Sequence, residues 1–190
     1  MGLLDFLRKR TNDILGTRVL VCSIGDSSSK ELTEDSALYR QYFQNVTVSQ
    51  FASTDELIDE LAGEYDIVHL FVAVDGNGQI GKSSVTGTKL IEKAALWETK
   101  LLWIANNNAP EGYINGFKPN GNKLNLVMTI DRGEHRFTNF LNKLLDEMKS
   151  GSSMPIAWNR IAPQIPGQVH PDAPQTIFWS GLGQVRFIRV

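Results

Sequence analysis

Residues 67–74 form an apolar run, Ile-Val-His-Leu-Phe-Val-Ala-Val, that stops at Asp75-Gly76 and enters a glycine-rich loop. The run is rich in β-branched residues and lacks helical spacing, so it reads as a strand buried on both faces. The acid and the glycines fall at its carboxyl end, where open α/β sheets place their sites.

The flanking sequence supplies the cover such a strand needs. Residues 17–24 read as a first apolar strand, followed by a helix from about Glu31 or Asp35 to Phe43 and a second strand over 45–51. Ser53-Thr54-Asp55-Glu56 has the capping-box pattern, in which serine and glutamate satisfy each other's free backbone donors. The helix it opens turns Leu57, Ile58 and Leu61 inward and stops at Gly63. Beyond the loop, the pattern predicts a helix over 89–98, a strand over 101–105, and a mobile Gly- and Asn-rich connection reaching about Asn122. A strand follows over 124–130. Helix 135–149 places Phe137, Phe140, Leu141, Leu144, Leu145 and Met148 on one face. Pro155 suits the first turn of another helix, with Ala157, Trp158 and Ile161 inward. A proline-rich connection, 163–174, leads to a strand over 176–180, a Gly181-Leu182-Gly183 turn and a strand over 185–188.

Strands alternating with helices make this an α/β domain with a largely parallel central sheet of about six strands. Its third, fourth and fifth strands end at Asp75-Gly76, at Asn106-Asn107-Asn108 and at Asp131-Arg132. All three polar clusters fall on one edge, and any site is expected there. Asp75 and Asp131 read as paired carboxylates for a metal or acid/base chemistry; the alternative makes Asp75 and Asn108 turn residues and pairs Arg132 with Asp131.

At 190 residues the length fits one domain, residues 17–190, preceded by an amphipathic segment, residues 1–16. That segment gathers Leu3, Leu4, Leu7, Ile14 and Leu15 on one face with Arg8, Lys9 and Arg10 behind them. It reads as a helix docked on the domain, and it is the only hint of a membrane surface. No run is long enough to cross a membrane and no secretory leader is evident, which points to a cytoplasmic protein. A net charge of −2 argues against a general nucleic-acid binder. The single cysteine, Cys22, lies in the first strand and reads as a core residue. His69 reads as a satisfied core histidine, and His135 and His170 as surface residues.

The loop itself matches a nucleotide-binding pattern. Gly76-Asn77-Gly78-Gln79-Ile80-Gly81-Lys82-Ser83 satisfies G-x-x-x-x-G-K-[ST], in which backbone N–H groups cradle phosphates. Lys82 would reach the terminal phosphates of ATP or GTP, Ser83 would hold magnesium, and Asp131 offers a second metal ligand. Against this, Ser83-Ser84-Val85-Thr86-Gly87-Thr88 is a poor first helical turn. The pattern also follows the third strand, where such loops usually follow the first.

The order of elements and the residues at the strand ends resemble the caspase-like fold shared by caspases and CHAT-type peptidases. Tyr65-Asp66-Ile67-Val68-His69 resembles a strand opening of CHAT domains, and Val72-Ala73-Val74-Asp75-Gly76 stands where the family ends that strand in His-Gly. Lys100-Leu101-Leu102-Trp103-Ile104-Ala105-Asn106-Asn107 stands where the family runs into its Ala-Cys nucleophile. Residues 126–133, 137–149, 158–162 and 174–187 resemble the elements that follow. The resemblance implies a three-layer α/β/α fold, and a homodimer through the C-terminal strand. It also implies no peptidase activity. The mechanism needs a thiolate and a histidine, and the two positions carry Asp75 and Asn107. The expected protein is a catalytically inactive module binding a protein or peptide, with no cofactor. The alternative is a nucleotide-binding protein using Gly76, Gly81, Lys82 and Ser83.

Overall fold

The computed structural model describes residues 11–13, 16–25, 29–81, 83–118, 124–133, 135–163, 170–181 and 186–188. In chain order the strands are β1 (Thr11–Asp13), β2 (Arg18–Ile24), β3 (Asn45–Phe51), β4 (Ile67–Phe71), β5 (Leu101–Ile104), β6 (Asn125–Asp131), β7 (Gln175–Ser180) and β8 (Arg186–Ile188). The helices are α1 (Ser29–Tyr42), α2 (Thr54–Glu60), α3 (Gly87–Leu96), α4 (Pro110–Gly116), α5 (His135–Lys149) and α6 (Met154–Ile161). The central sheet has six strands in the order β3-β2-β4-β5-β6-β7. All neighbours are parallel except β6 and β7. The α/β expectation holds in this mostly parallel sheet with helices on both faces.

Strand periodicity divides the core. Val19 and Val21 of β2, Ile67 and Phe71 of β4, and Leu101 and Trp103 of β5 face α1, α5 and α6. The alternating residues Leu20, Cys22, Val68, Leu70, Leu102 and Ile104 face α2, α3 and α4. Within the strands β4 and β5 every residue is buried, as a doubly covered parallel sheet requires. Helix α5 forms where its spacing predicts, and its six apolar positions are all at most 5% exposed.

Four local expectations are corrected. The stretch after Pro110, read as a mobile connection, contains α4, a helix with Pro110 in its first turn and Tyr113 buried. Its seven residues include Gly112 and Gly116 and its N-cap, Ala109, has no side-chain cap bond, so Pro110 was the one helix signal. The capping box at α2 is half formed: Ser53 accepts from Glu56 N, while Glu56 bonds Ala52 N rather than the serine's own amide. Residues 11–13, assigned to the amphipathic segment, are strand β1, paired in parallel with β8. Thr, Asn and Asp are weak helix formers, and β8 offers them a ladder. The remainder of residues 1–16 lies outside the described residues, apart from Gly16. Finally, Arg132 does not pair with Asp131; it turns inward to Asp35.

Candidate functional site

Because β4, β5 and β6 are parallel neighbours, their carboxyl ends share one edge. That edge holds Asp75, Gly76, Asn106, Asn107, Asn108, Asp131 and Arg132. Asp75 is exposed and begins a turn: its Oδ1 accepts from Asn77 N and Gln79 N, both at 2.9 Å. This is the local side-chain-to-backbone bonding typical of aspartate after a strand. Asp131 does the same, accepting from Gly133 N. Strand β5 lies between β4 and β6, so the strands bearing the two acids stand about 10 Å apart. Among the described residues no group of three or more His, Cys, Asp or Glu side chains could hold a metal ion.

The three asparagines have separate tasks. Asn108 is a buried staple: its Oδ1 accepts from Val74 N at 2.8 Å, and its Nδ2 lies 2.8–3.3 Å from Tyr113 Oη, Asn106 O and Val72 O. Tyr113 in turn donates to Thr129 O, so one amide ties the extension of β4 to β5, α4 and β6. Asn107 is exposed, and its Oδ1 accepts from Arg132 N at 2.7 Å. Asn106 Oδ1 accepts from Asn107 N.

The glycine-rich loop folds onto itself. Val74 and Ile80 form an antiparallel bridge, as do Gln79 and Thr86. The amides of Asn77, Gly78, Gln79, Gly81 and Ser83 are each donated within the protein, to Asp75 Oδ1, Asp75 O, Asp75 Oδ1, Ala73 O and Ile80 O. The Ser83 hydroxyl bonds Ile80 O and Thr54 Oγ1. Helix α3 starts only at Gly87, capped by Thr86. A phosphate cradle requires those donors to point at a ligand. Lys82 lies outside the described residues.

The glycines follow a different logic from the nucleotide pattern. Gly76, a fixed position of that pattern, has open space where a Cβ would be. Gly78, a variable position, has φ +78°, and a Cβ there would lie 2.1 Å from Gly116 Cα. Likewise a Cβ on Gly112 would lie 2.3 Å from Asp75 O. The loop is glycine-rich at Gly78 because it packs backbone to backbone against α4.

Beneath this edge, on the α1/α5 face, lies a buried ionic cluster. Asp35 of α1 and His69 of β4 are fully buried, and Arg132 is 7% exposed. Arg132 Nη2 donates to Asp35 Oδ1 at 2.6 Å, and its guanidinium lies 4.3 Å from the Phe137 ring centroid. His69 Nε2 stands 3.1 Å from Asp35 Oδ2, too oblique for a hydrogen bond, while Nδ1 is 3.0 Å from Tyr39 Oη. A neutral ring with its proton on Nε2 fits these contacts: Nδ1 accepts from Tyr39, and the Nε2 proton is left beside the carboxylate without a hydrogen bond to it. Burial holds the His69 pKa below the ordinary 6.5, against the opposing pull of Asp35. The expected core histidine is there, and its two ionic partners, Asp35 and Arg132, are 97 positions apart in the chain. Only an acid in the hydrophobic spacing of α1 hinted at them.

His69 and Cys22 cannot act together, since they face opposite sides of the sheet. Burial also pushes the Cys22 thiol well above its ordinary pKa, away from the thiolate a nucleophile needs. His170 is on the surface side, accepting from Asp172 N; His135 opens α5. No helix among the described residues is long and apolar enough to cross a membrane. No protein-family model matches the chain, and a search of curated proteins finds no match either.

Proposed function

We propose that this chain is a caspase- or CHAT-like domain without peptidase chemistry, whose work is to bind a protein or peptide along the carboxyl edge of its sheet. The observation that carries the reading is the state of the two positions matching the family's dyad. They lie in the segments that follow adjacent parallel strands, β4 ending at Phe71 and β5 ending at Ile104. The Asp75 carboxylate accepts from two turn amides, and the Asn107 amide accepts from Arg132 N. Neither side chain supplies the thiolate or the imidazole of that dyad, and both bond the edge backbone.

The test uses Gly76→Trp, which puts a large side chain into open space on the edge. Peptides selected from a displayed library on the wild-type protein should bind it one to one by calorimetry, and bind Gly76→Trp at least tenfold more weakly. Equal binding to both proteins overturns the reading, as does cleavage of arginyl or aspartyl peptides that depends on Asn107 or Cys22. The nucleotide alternative is favoured by the pattern itself. It predicts saturable stabilisation by magnesium-ATP or magnesium-GTP, lost in Lys82→Ala; the engaged loop amides favour the opposite result. A homodimer through β7 is part of the same reading. That strand ends the sheet order and carries Trp179 at 44% exposure, the arrangement that invites edge pairing. Sedimentation of wild type against Trp179→Lys tests it.

A further inference from the structure

Two basic side chains, His69 and Arg132, meet at one buried carboxylate, Asp35, beneath the edge. Among the described residues, those facing His69 are Asp35 and Tyr39 from α1 and Arg132 from the end of β6. Its remaining neighbours, Phe71 on its own strand, Trp103 on β5 and Phe137 on α5, are uncharged rings. With His69 neutral the cluster holds one anion and one cation and is balanced. With His69 protonated it holds two cations and one anion in a dry site, where charge repulsion is poorly screened.

The three members are not held equally. Asp35 and His69 sit on a helix and a central strand and are fully buried. Arg132 lies beyond the last residue of β6, at the surface end of the cluster. A guanidinium has five N–H donors. The described side-chain hydrogen bonding of Arg132 is the one bond to Asp35 Oδ1, beside ring contacts with Phe71 and Phe137, and Nε is buried without a hydrogen-bond partner. A buried, under-bonded cation with a short path to water is the member that leaves when the charge no longer balances.

We propose that the Asp35–His69–Arg132 cluster is a proton-operated latch: protonation of His69 expels the Arg132 side chain from beneath the carboxyl edge into solvent. Burial of the ring, with a smaller contribution from Arg132, disfavours a proton at His69 in the closed state, and expelling Arg132 removes its repulsion and leaves Asp35 to favour the charged ring. Acidification therefore favours opening, and alkaline pH favours closure. Protonated His69 then takes over Asp35 as its sole counter-ion. The edge gains an exposed cation beside Asn107, whatever the edge binds.

The Arg132 Nε–H resonance reports this directly in the full chain labelled with ¹⁵N-arginine, because the guanidinium lies over the Phe137 ring. It is assigned by its absence in Arg132→Lys. At pH 7.5 it should be shifted by the ring current and protected from exchange. Between pH 6.5 and 5 it should move to the position of exposed arginines, in step with the His69 ring. In His69→Gln, which keeps a donor but cannot charge, the resonance should stay where it is at every pH. Should that variant not fold, Phe137→Leu in an otherwise wild-type chain must abolish the displaced shift at pH 7.5 while preserving the pH-dependent change in exchange. The latch is overturned if the wild-type resonance stays shifted and protected down to pH 5. It is equally overturned if His69→Gln shows the same transition, or if all core resonances collapse together.

Discussion

Removing the Asp35 charge without changing its shape isolates the worth of the buried pair. Asp35→Asn leaves the Arg132 guanidinium at 7% exposure with no counter-ion. The contact is 2.6 Å, which at an effective dielectric of about 20 corresponds to roughly 6 kcal/mol of Coulomb attraction. Desolvation of both ions offsets much of that, but a single substitution keeps the desolvation of the survivor and loses the attraction. Breaking a buried pair from one side costs about 3–5 kcal/mol. Arg132→Met should cost a similar amount at pH 8, and less at pH 5.5, where His69 can take a proton and become the partner of Asp35. The double variant Asp35→Asn/Arg132→Met removes both charges and should cost only about 1–2 kcal/mol, leaving a coupling energy of several kcal/mol. Urea unfolding followed by tryptophan fluorescence measures all four corners of the cycle, and Trp103, 5.5 Å from Phe137, is within the affected packing. A loss below about 1 kcal/mol for Asp35→Asn, or additivity within about 0.5 kcal/mol, would refute the reasoning.

Other substitutions test the edge. Gly78→Ala must accommodate both φ +78° and a Cβ only 2.1 Å from Gly116 Cα, so it should lose about 2–5 kcal/mol. Gly76→Ala meets nothing and should fall within about 1 kcal/mol of wild type; thermal melts of the pair compare them, and a reversed order would sink the packing account. Asn108→Ala leaves Val74 N without its acceptor in the buried interior, along with the carbonyl of Val72. At about 1–3 kcal/mol for each stranded group, a loss near ~3 kcal/mol is expected, read by urea denaturation; Asn108→Asp should not restore it, because a carboxylate cannot donate to Val72 O. The pH profile follows from His69. Its folded pKa is depressed, so the unfolded chain binds the extra proton below 6.5. This group then removes stability as pH falls from 6.5 toward the folded pKa, with a slope of at most about 1.4 kcal/mol per pH unit. His69→Gln should flatten that part of the curve, and an unchanged slope would assign it to other groups.

Much of the fold was legible because it rests on period and punctuation. The apolar run at 67–74, the six spaced residues of α5 and the glycine and proline breaks each report local backbone chemistry, and local chemistry is written in neighbouring letters. From these follow the α/β alternation, the parallel sheet and the shared edge of Asp75, Asn107 and Asp131. Helix α4 was not legible, since it holds two glycines and lacks the side-chain cap that marks α2, a helix of the same length. Strand β1 was not either, because three polar residues become a strand only when β8 lies beside them.

The sequence by itself determined that a buried strand starts at Ile67 and leads toward an acid and glycines, although the strand ends at Phe71 and the run over 72–74 leaves it, with Ala73 exposed. Tertiary structure alone decided what those residues do. Gly78 looked like part of a phosphate loop and is constrained instead by the backbone of Gly116, across 38 positions. Arg132 looked like the partner of Asp131, its neighbour, and is held by Asp35 through burial and charge. The physical reason is the same in both cases. Close packing and desolvation act between residues that only the folded chain brings together, whereas propensity and periodicity act between residues that are already adjacent.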